Sequence, residues 1–359
     1  MKQRHIDNKK RVFFLETTGV TELVHTKTLL RNVSIDDRQI IGMGRSSTVY
    51  QIDSKTIIKI YDEHVPVELI RREMEQARRA YISGIPTAVP FGLVGADDSY
   101  GIVFERIIPG VTVGNAITEH AERFDETTKK YTKLLKLIHQ THIGEESGLP
   151  AEKDIWLSWV DGMSPYYSAS EIGFLRNMVA GIPERNTVVH CDFHENNVLV
   201  SEDDLILIDM ADIGYGHPIF DLAGGAFRVH ASLIPGRQAH HGLSAQNMQS
   251  FWEAVLRFYF DTEDSEELSK IQDVCLAFGL VRSALFPMKH VHISDELRRI
   301  HIDDARRNLF PRQNWALQQL EDLEQFFPNP DIKAGAGARR SDMQTKNESG
   351  VIPYEKGRN

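Results

Sequence analysis

The stretch "VVHCDFHENNVLV", residues 188–200, decides how the rest of the chain is interpreted. Polar residues from His190 to Asn197 interrupt an apolar run, which then resumes. A second apolar run, "LILID", ends on Asp209. The four residues "SEDD" that separate the two runs suit a tight turn, so the sequence predicts an antiparallel β-hairpin in which Asn197 lies opposite Ile208.

Three oxygen-bearing side chains should meet at one end of this hairpin. Strand pairing brings Asp209 beside Asn197, and Asp192 lies five residues upstream on the loop that leads into the first strand. Hard oxygen ligands of this kind suit Mg²⁺, which takes one or two carboxylates together with waters and substrate phosphates. Turn geometry also favours Asp and Asn, but a carboxylate at the end of a buried strand is costly without a partner. We therefore interpret these residues as functional.

A second set of motifs lies before residue 106. The segment "GMGRSSTV", residues 42–49, has the glycine spacing of a phosphate-binding loop, with Ser47 in the third glycine position. Lys59 follows on the next β-branched run. On the helix predicted after it, Glu73 lies in the apolar arc, whereas Glu75 points to the opposite side. Each motif alone is weak, because a glycine hairpin is usually only a turn and an edge lysine commonly blocks aggregation.

Together these motifs resemble the aminoglycoside phosphotransferase and choline kinase branch of the protein-kinase-like superfamily, and most closely a bacterial phosphotransferase-like group within it. The pattern there is His-x-Asp-x-His-x-x-Asn, then Ile-Asp, then Gly-x-Pro-x-x-Asp-Leu-Ala, which stands here between residues 190 and 223. The resemblance extends from about residue 40 into the 220s and is weaker through the C-terminal helices.

The resemblance implies an α+β, bilobal protein-kinase-like fold. A small lobe would hold an antiparallel sheet and one helix, and a larger, mainly helical lobe would hold the catalytic hairpin. We expect an N-terminal extension at 1–34, a nucleotide-binding lobe at 35–106 and a catalytic and acceptor-binding lobe at 107–328. Residues 329–359 are polar and glycine-rich without a period, which predicts a disordered tail.

The resemblance also implies a reaction, in which the γ-phosphate of ATP moves to the hydroxyl of a small molecule such as an aminoglycoside, choline or a sugar. Asp192 would be the catalytic base, and Asn197 and Asp209 would hold Mg²⁺. The ATP-binding residues would be Gly42, Gly44, Ser47, Val49, Lys59, Glu73, Leu199 and, through their backbone, Glu105 and Ile107.

Two alternatives remain open. A protein kinase is disfavoured because only twelve positions separate Asp209 from Asp221, too few for an activation segment, and because Cys191 stands where many regulated protein kinases carry arginine. The other alternative is a nucleotide-binding regulatory module with little turnover. The segment "VFFLETTGVTELV", residues 12–24, faintly resembles the closing helix of anti-sigma-factor-antagonist domains, so residues 1–34 would then bind a protein partner.

Composition narrows the remaining classes. The formal net charge of −10 argues against a nucleic-acid groove, and no apolar run comes near the roughly 20 residues needed to cross a bilayer. Two cysteines and the lack of a charged leader before an apolar run predict a cytoplasmic protein without a disulfide framework. His139 and His142 have a metal-like spacing, but we find no carboxylate or cysteine partner for them and expect structural roles.

Overall fold

The computed structural model describes residues 30–44, 46–96, 99–143, 147–202, 204–234, 243–290 and 293–327. The N-terminal extension predicted at 1–34 lies outside these residues except for its last five, and the tail predicted at 329–359 lies wholly outside them. The chain divides into two compact units. The first runs up to Met74 and includes Pro90–Arg106, and the second comprises Glu75–Val89 and the chain from Ile107 onward.

The first unit contains a five-stranded antiparallel sheet with strand order β1-β2-β3-β5-β4. Its elements are β1 (Ile40–Met43), β2 (Ser47–Gln51), β3 (Thr56–Tyr61), the first half of helix α1 (Val67–Ile82), β4 (Pro90–Ala96) and β5 (Ser99–Glu105). Gly101 allows β5 to lie close to β3, because a Cβ at this position would stand 2.8 Å from the carbonyl oxygen of Lys59. The second half of α1 belongs to the other unit and ends before Gly84, whose φ of +80° is the left-handed conformation that glycine commonly adopts after a helix.

The alternation of side chains along β3 gives the sheet two apolar faces. Ile58 and Ile60 point to one face, where they pack with residues of β4. Tyr61 points to the other face and packs against Ile70 of α1. Lys59 alternates with the two isoleucines, so it lies on the face that α1 covers.

The second unit is mainly helical. Its helices are α2 (Val113–Glu119), α3 (Phe124–Gln140), α4 (Glu152–Asp161), α5 (Ala169–Ala180), α6 (Ile219–Ser232), α7 (Ala245–Phe260), α8 (Ser265–Lys289), α9 (Asp295–Asn308) and α10 (Gln313–Phe326). Its strands are β6 (Pro109–Thr112), β7 (Val188–Val189), β8 (Val198–Ser201), β9 (Leu205–Leu207) and β10 (Gly214–Tyr215). They form a three-stranded sheet, β6-β8-β9, and a two-stranded sheet, β7-β10.

The pairing of β8 with β9 is the predicted hairpin. Val198 lies opposite Leu207, and Ile208 N donates to Asn197 O over 2.9 Å, which is the register expected from the sequence. An antiparallel sheet with one helix, followed by a mainly helical region that carries this hairpin, confirms the predicted α+β class.

Helix α8 forms the core of the second unit, where α6, α9 and α10 pack against it. Within the described residues it is the one helix long and apolar enough to cross a membrane, and 72% of its apolar window is buried inside the protein. From the sequence we expected no apolar run of roughly 20 residues, and α8 is 25 residues long. Burial among the other helices accounts for its apolar composition.

Candidate active site

The predicted catalytic loop connects β7 to β8 and carries Asp192 and Asn197. Asn197 Nδ2 donates to the backbone oxygen of Asp192 over 3.0 Å. This bond engages the amide nitrogen and leaves Asn197 Oδ1 as the atom that a cation could bind. Asp209 follows β9 in a left-handed backbone conformation, with φ of 63° and ψ of 67°, which aspartate tolerates better than most residues.

Asp221, in the first turn of α6, braces the backbone of the loop. Its two carboxylate oxygens accept hydrogen bonds from the backbone N–H groups of His190, at 2.9 Å, and Cys191, at 2.6 Å. Cys191 has a φ of 64°, an uncommon value for a residue other than glycine. The bond to a buried carboxylate holds the loop in this conformation.

The second partner of Asp221 is His139 of α3, whose Nε2 lies 3.0 Å from Asp221 Oδ2. Burial alone would raise the pKa of Asp221, but its bonds to His139 and to the His190 amide outweigh that effect and hold the pKa below its usual value. The expectation that His139 lacks a carboxylate partner is therefore wrong, because the partner lies 82 residues away in sequence.

His190 ties the catalytic loop to the end of β9. Its Nδ1 accepts a hydrogen bond from Asp192 N over 3.3 Å, and its Nε2 lies 3.1 Å from Ile208 O. Because Nδ1 accepts, the ring proton belongs on Nε2, where it can be donated to the Ile208 carbonyl.

Two positively charged side chains from α8 contact the loop, and neither was predicted from the sequence. Arg282 Nη2 donates to Asp192 Oδ1 over 3.1 Å, and Lys289 Nζ lies 2.7 Å from Asp212 Oδ2 and 3.4 Å from Cys191 O. Seven residues are about two helical turns, so both side chains leave the same face of α8. A detectable signal existed, namely two charged residues at this spacing in the apolar second half of the helix.

The cations determine the charge of the loop. Burial opposes the ionisation of Asp192, but Lys289, His194 and Arg282 outweigh it and hold the pKa of Asp192 well below its usual value. The Asp192 side chain is nevertheless 41% exposed. It is therefore an ionised carboxylate that a ligand can reach.

Two buried carboxyl groups, one on the loop and one on α4, were not predicted. Glu195 is ion-paired with Arg228 of α6. Glu152, at the start of α4, accepts a hydrogen bond from Trp156 Nε1 over 2.7 Å, and burial raises its pKa to about 7. Lys289 lowers the pKa of Glu152 in opposition to burial.

A small pocket lies beside Glu195 in the second unit. Aromatic side chains of α3, α7 and the catalytic loop line it, together with His194 and Arg228. The aromatic residues are Tyr131, Phe193, Phe251 and Trp252.

The first unit brings Lys59 and Glu73 together. Lys59 Nζ lies 2.6 Å from Glu73 Oε1, and the two side chains are only 16% and 6% exposed. Glu75 is 44% exposed and pairs with Arg78 at 3.4 Å. Of the two glutamates compared in the sequence analysis, the structure therefore places Glu73 against the lysine.

The remaining nucleotide candidates lie in several elements. Gly42, Gly44, Ser47 and Val49 belong to the β1–β2 hairpin, in which Gly44 N donates to Ser47 O over 2.8 Å. Glu105 ends β5, opposite Thr56. Ile107 belongs to the second unit, as does Leu199, which lies on β8 between Thr112 and Ile206.

Comparisons with known proteins identify the family of the chain. Residues 37–242 match the model of the phosphotransferase enzyme family, APH, so the chain belongs to that family. The match confirms the predicted resemblance and the predicted enzyme class, a phosphotransferase with an alcohol group as acceptor. No curated protein matches the chain.

Several solved structures are similar to the chain at low sequence identity. A gentamicin complex of APH(2″)-IIa has a TM-score of 0.50 at 14% identity and covers 75% of this chain and 90% of its own. A choline/ethanolamine kinase family protein from Mesorhizobium loti has a TM-score of 0.49 at 14% identity, and the match covers 85% of this chain and 92% of that protein. An ethanolamine kinase from Plasmodium vivax has a TM-score of 0.46 at 15% identity, and the match covers 79% of this chain and 80% of that protein.

Proposed function

We propose that this phosphotransferase moves the γ-phosphate of ATP to a hydroxyl of a small molecule, with Mg²⁺ as cofactor. The observation that carries the proposal is the setting of Asp192, an ionised and accessible carboxylate on a loop whose backbone is fixed by the buried Asp221. In phosphoryl transfer the protein mainly positions the reactants and neutralises charge. Asp192 would orient the acceptor hydroxyl and accept its proton.

The residues around Asp192 fit a magnesium nucleotide. Asn197 Oδ1 and the Asp209 carboxylate would hold Mg²⁺, and they are hard oxygen donors of the kind it prefers. When bound, Mg²⁺ neutralises charge on the phosphate oxygens. Lys59, fixed by Glu73, would bind the phosphates that are not transferred.

The other predicted ATP-binding residues keep the roles that the family resemblance implies. The glycine hairpin and Leu199 would contact the nucleotide through backbone N–H groups and apolar surface respectively. The backbone of Glu105 and Ile107 would hydrogen-bond the base.

The first experiment measures transfer of ³²P from ATP to a panel of hydroxylated metabolites and antibiotics, with and without Mg²⁺. We expect Asp192→Asn to lower kcat/KM on the order of 10²–10⁴-fold, because the variant cannot accept the proton. Asp161→Asn, at an exposed ion pair of α4, is the matched control and should not change the rate. An unchanged rate in Asp192→Asn would refute the assignment.

A second experiment tests the role of Lys59. Glu73→Gln should lower kcat/KM for ATP by about tenfold or more, because a charge-assisted hydrogen bond that fixes the lysine is lost. Glu75→Gln, at the exposed glutamate two residues along α1, should leave the rate within about twofold of wild type, since exposed pairs contribute little. Equal effects of the two substitutions would contradict the proposed role.

The alternatives now differ in their support. The span from Asp209 to Asp221 contains a 3₁₀ turn at Met210–Asp212 and the two-residue strand β10, which is a short connection and not a peptide-binding platform. A protein partner at residues 1–34, a cytoplasmic location and the lack of nucleic-acid or membrane partners stay predictions from the sequence.

A further inference from the structure

The guanidinium of Arg282 is built into the second unit beside Asp192. Its side chain is 9% exposed, and Nη2 donates to Asp192 Oδ1 over 3.1 Å. Gly224 of α6 faces it, and a Cβ at that position would lie 3.7 Å from Arg282 Cζ. A buried cation is costly, so its position against the proposed catalytic carboxylate indicates a role beyond packing.

Most of the hydrogen-bonding capacity of Arg282 is unused. A guanidinium has five N–H donors, and Asp192 is the one hydrogen-bond acceptor found for it within the described part of the chain. Among the described residues, no nitrogen of Arg282 is both fully enclosed and unpartnered. Its remaining donors therefore keep contact with solvent.

Two neighbouring carboxylates of the second unit are paired with cations, Asp212 with Lys289 and Glu195 with Arg228. Asp221 is bonded to His139 and to two backbone N–H groups, and burial raises the pKa of Glu152 to about 7. Asp209 is assigned to the metal. These pairings leave little negative charge for a polycationic acceptor, whereas Arg282 offers spare donors to an anion.

We propose that the acceptor carries a carboxylate one or two carbons from its reacting hydroxyl, and that Arg282 binds this carboxylate while Asp192 receives the hydroxyl. The inference rests on the proposed function and names its substrate class. The planar fork of arginine matches carboxylate geometry better than a lysine does. Because Arg282 is fixed next to Asp192, the carboxylate must lie close to the reacting hydroxyl if the two groups are to be bound together.

The test compares hydroxylated probes that carry a carboxylate close to the hydroxyl, a carboxylate further away, no charge, or positive charge. Glycerate is compared with glycerol, 4-hydroxybutyrate places the carboxylate further from the hydroxyl, and ethanolamine and kanamycin are cationic probes. The full chain is assayed for ³²P transfer from ATP, and probe binding is measured separately by calorimetry. We expect kcat/KM or affinity to be at least tenfold higher for glycerate than for glycerol, which is the effect of one charge-assisted interaction. The same quantity should also be higher for glycerate than for 4-hydroxybutyrate and both cationic probes.

Variants assign the effect to Arg282. Arg282→Gln should remove the preference for glycerate over glycerol, and Arg282→Lys, which retains the positive charge, should keep part of that preference. Arg176→Gln, at an exposed ion pair of α5, is the control and should behave as wild type. If Arg282→Gln does not fold, as judged by circular dichroism, Arg282→Lys provides the test, and full retention of the preference in it would overturn the assignment.

Several results would overturn the proposal. These are a preference for a cationic probe, no advantage of glycerate over glycerol, and an equal loss for all probes in Arg282→Gln, which would place Arg282 on the transferred phosphoryl group. Failure of the proposed function gives a different result. In that case no probe is phosphorylated, while glycerate still binds more tightly than glycerol in an Arg282-dependent way.

Discussion

Asp221 and helix α8 both act on the catalytic loop, but they do so through different kinds of interaction. Asp221 is buried and accepts hydrogen bonds from two consecutive backbone N–H groups, so it fixes the path of the chain. Arg282 and Lys289 of α8 contact a side chain and a carbonyl oxygen, so they bring positive charge. The shape of the loop and its charge are thus set by separate elements. Substitutions should therefore change one without the other.

The largest effect on stability is expected when Asp221, which fixes the path of the loop, is replaced. Asp221→Ala leaves two loop amides and His139 without their acceptor, so the free energy of unfolding should fall by roughly 3–5 kcal/mol, as for other broken buried pairs. Urea denaturation followed by circular dichroism measures it, and Asp161→Ala, at an exposed ion pair, is the control. A loss no larger than that of the control would show that Asp221 does not brace the loop.

The next largest effect is the pH dependence of stability that Glu152 causes. This buried glutamate is affected by the charges of Lys289 and Asp212. Its pKa is about 7 in the folded protein against 4.5 for an ordinary glutamate. Between these pH values the folded state keeps a proton that the unfolded state has lost, so stability falls by about 1.4 kcal/mol for each pH unit of increase. Above pH 7 this loss is complete.

Glu152→Gln should remove that slope. Relative to wild type, the variant should gain stability on the order of 3 kcal/mol between pH 4.5 and pH 8. The measurement is urea denaturation at several pH values, and Glu122→Gln, at an exposed glutamate, is the control. Parallel pH profiles of wild type and Glu152→Gln would contradict the raised pKa.

A smaller effect is expected from the charge that α8 supplies. Lys289→Met should lower the free energy of unfolding by roughly 1–3 kcal/mol, because Asp212 and the Cys191 carbonyl lose their partner. Lys270→Met, at an exposed lysine on the same helix, should leave stability unchanged. Lys289→Met should also raise the pKa of Glu152, since Lys289 lowers it. If the pH profile of the variant stays in place, the two groups are not coupled.

Much of the fold and part of the candidate site could be predicted because their signals are local. The hairpin register follows from two short apolar runs and the turn between them, and the choice of Glu73 over Glu75, as the partner that the family resemblance implies for Lys59, follows from helical periodicity. In each case the residues that interact lie close in sequence. The physical rule that relates them needs no knowledge of the tertiary structure.

The rest could not be predicted, because it depends on packing between distant elements. Arg282 meets Asp192 across 90 residues, and His139 meets Asp221 across 82. Local periodicity does not determine which helices pack together. It identifies a charged residue in an apolar helix but does not name its partner, which is why Arg282 was missed and His139 was assigned no carboxylate.

The brace on the catalytic loop has a consequence for the entropy of substrate binding. The amide hydrogens of His190 and Cys191 are bonded to a buried carboxylate, so they should exchange with solvent among the slowest of any loop amides. A loop that is already ordered loses little conformational freedom when a substrate arrives. The enzyme can then bind and release acceptors through many turnovers without rebuilding the segment that carries Asp192.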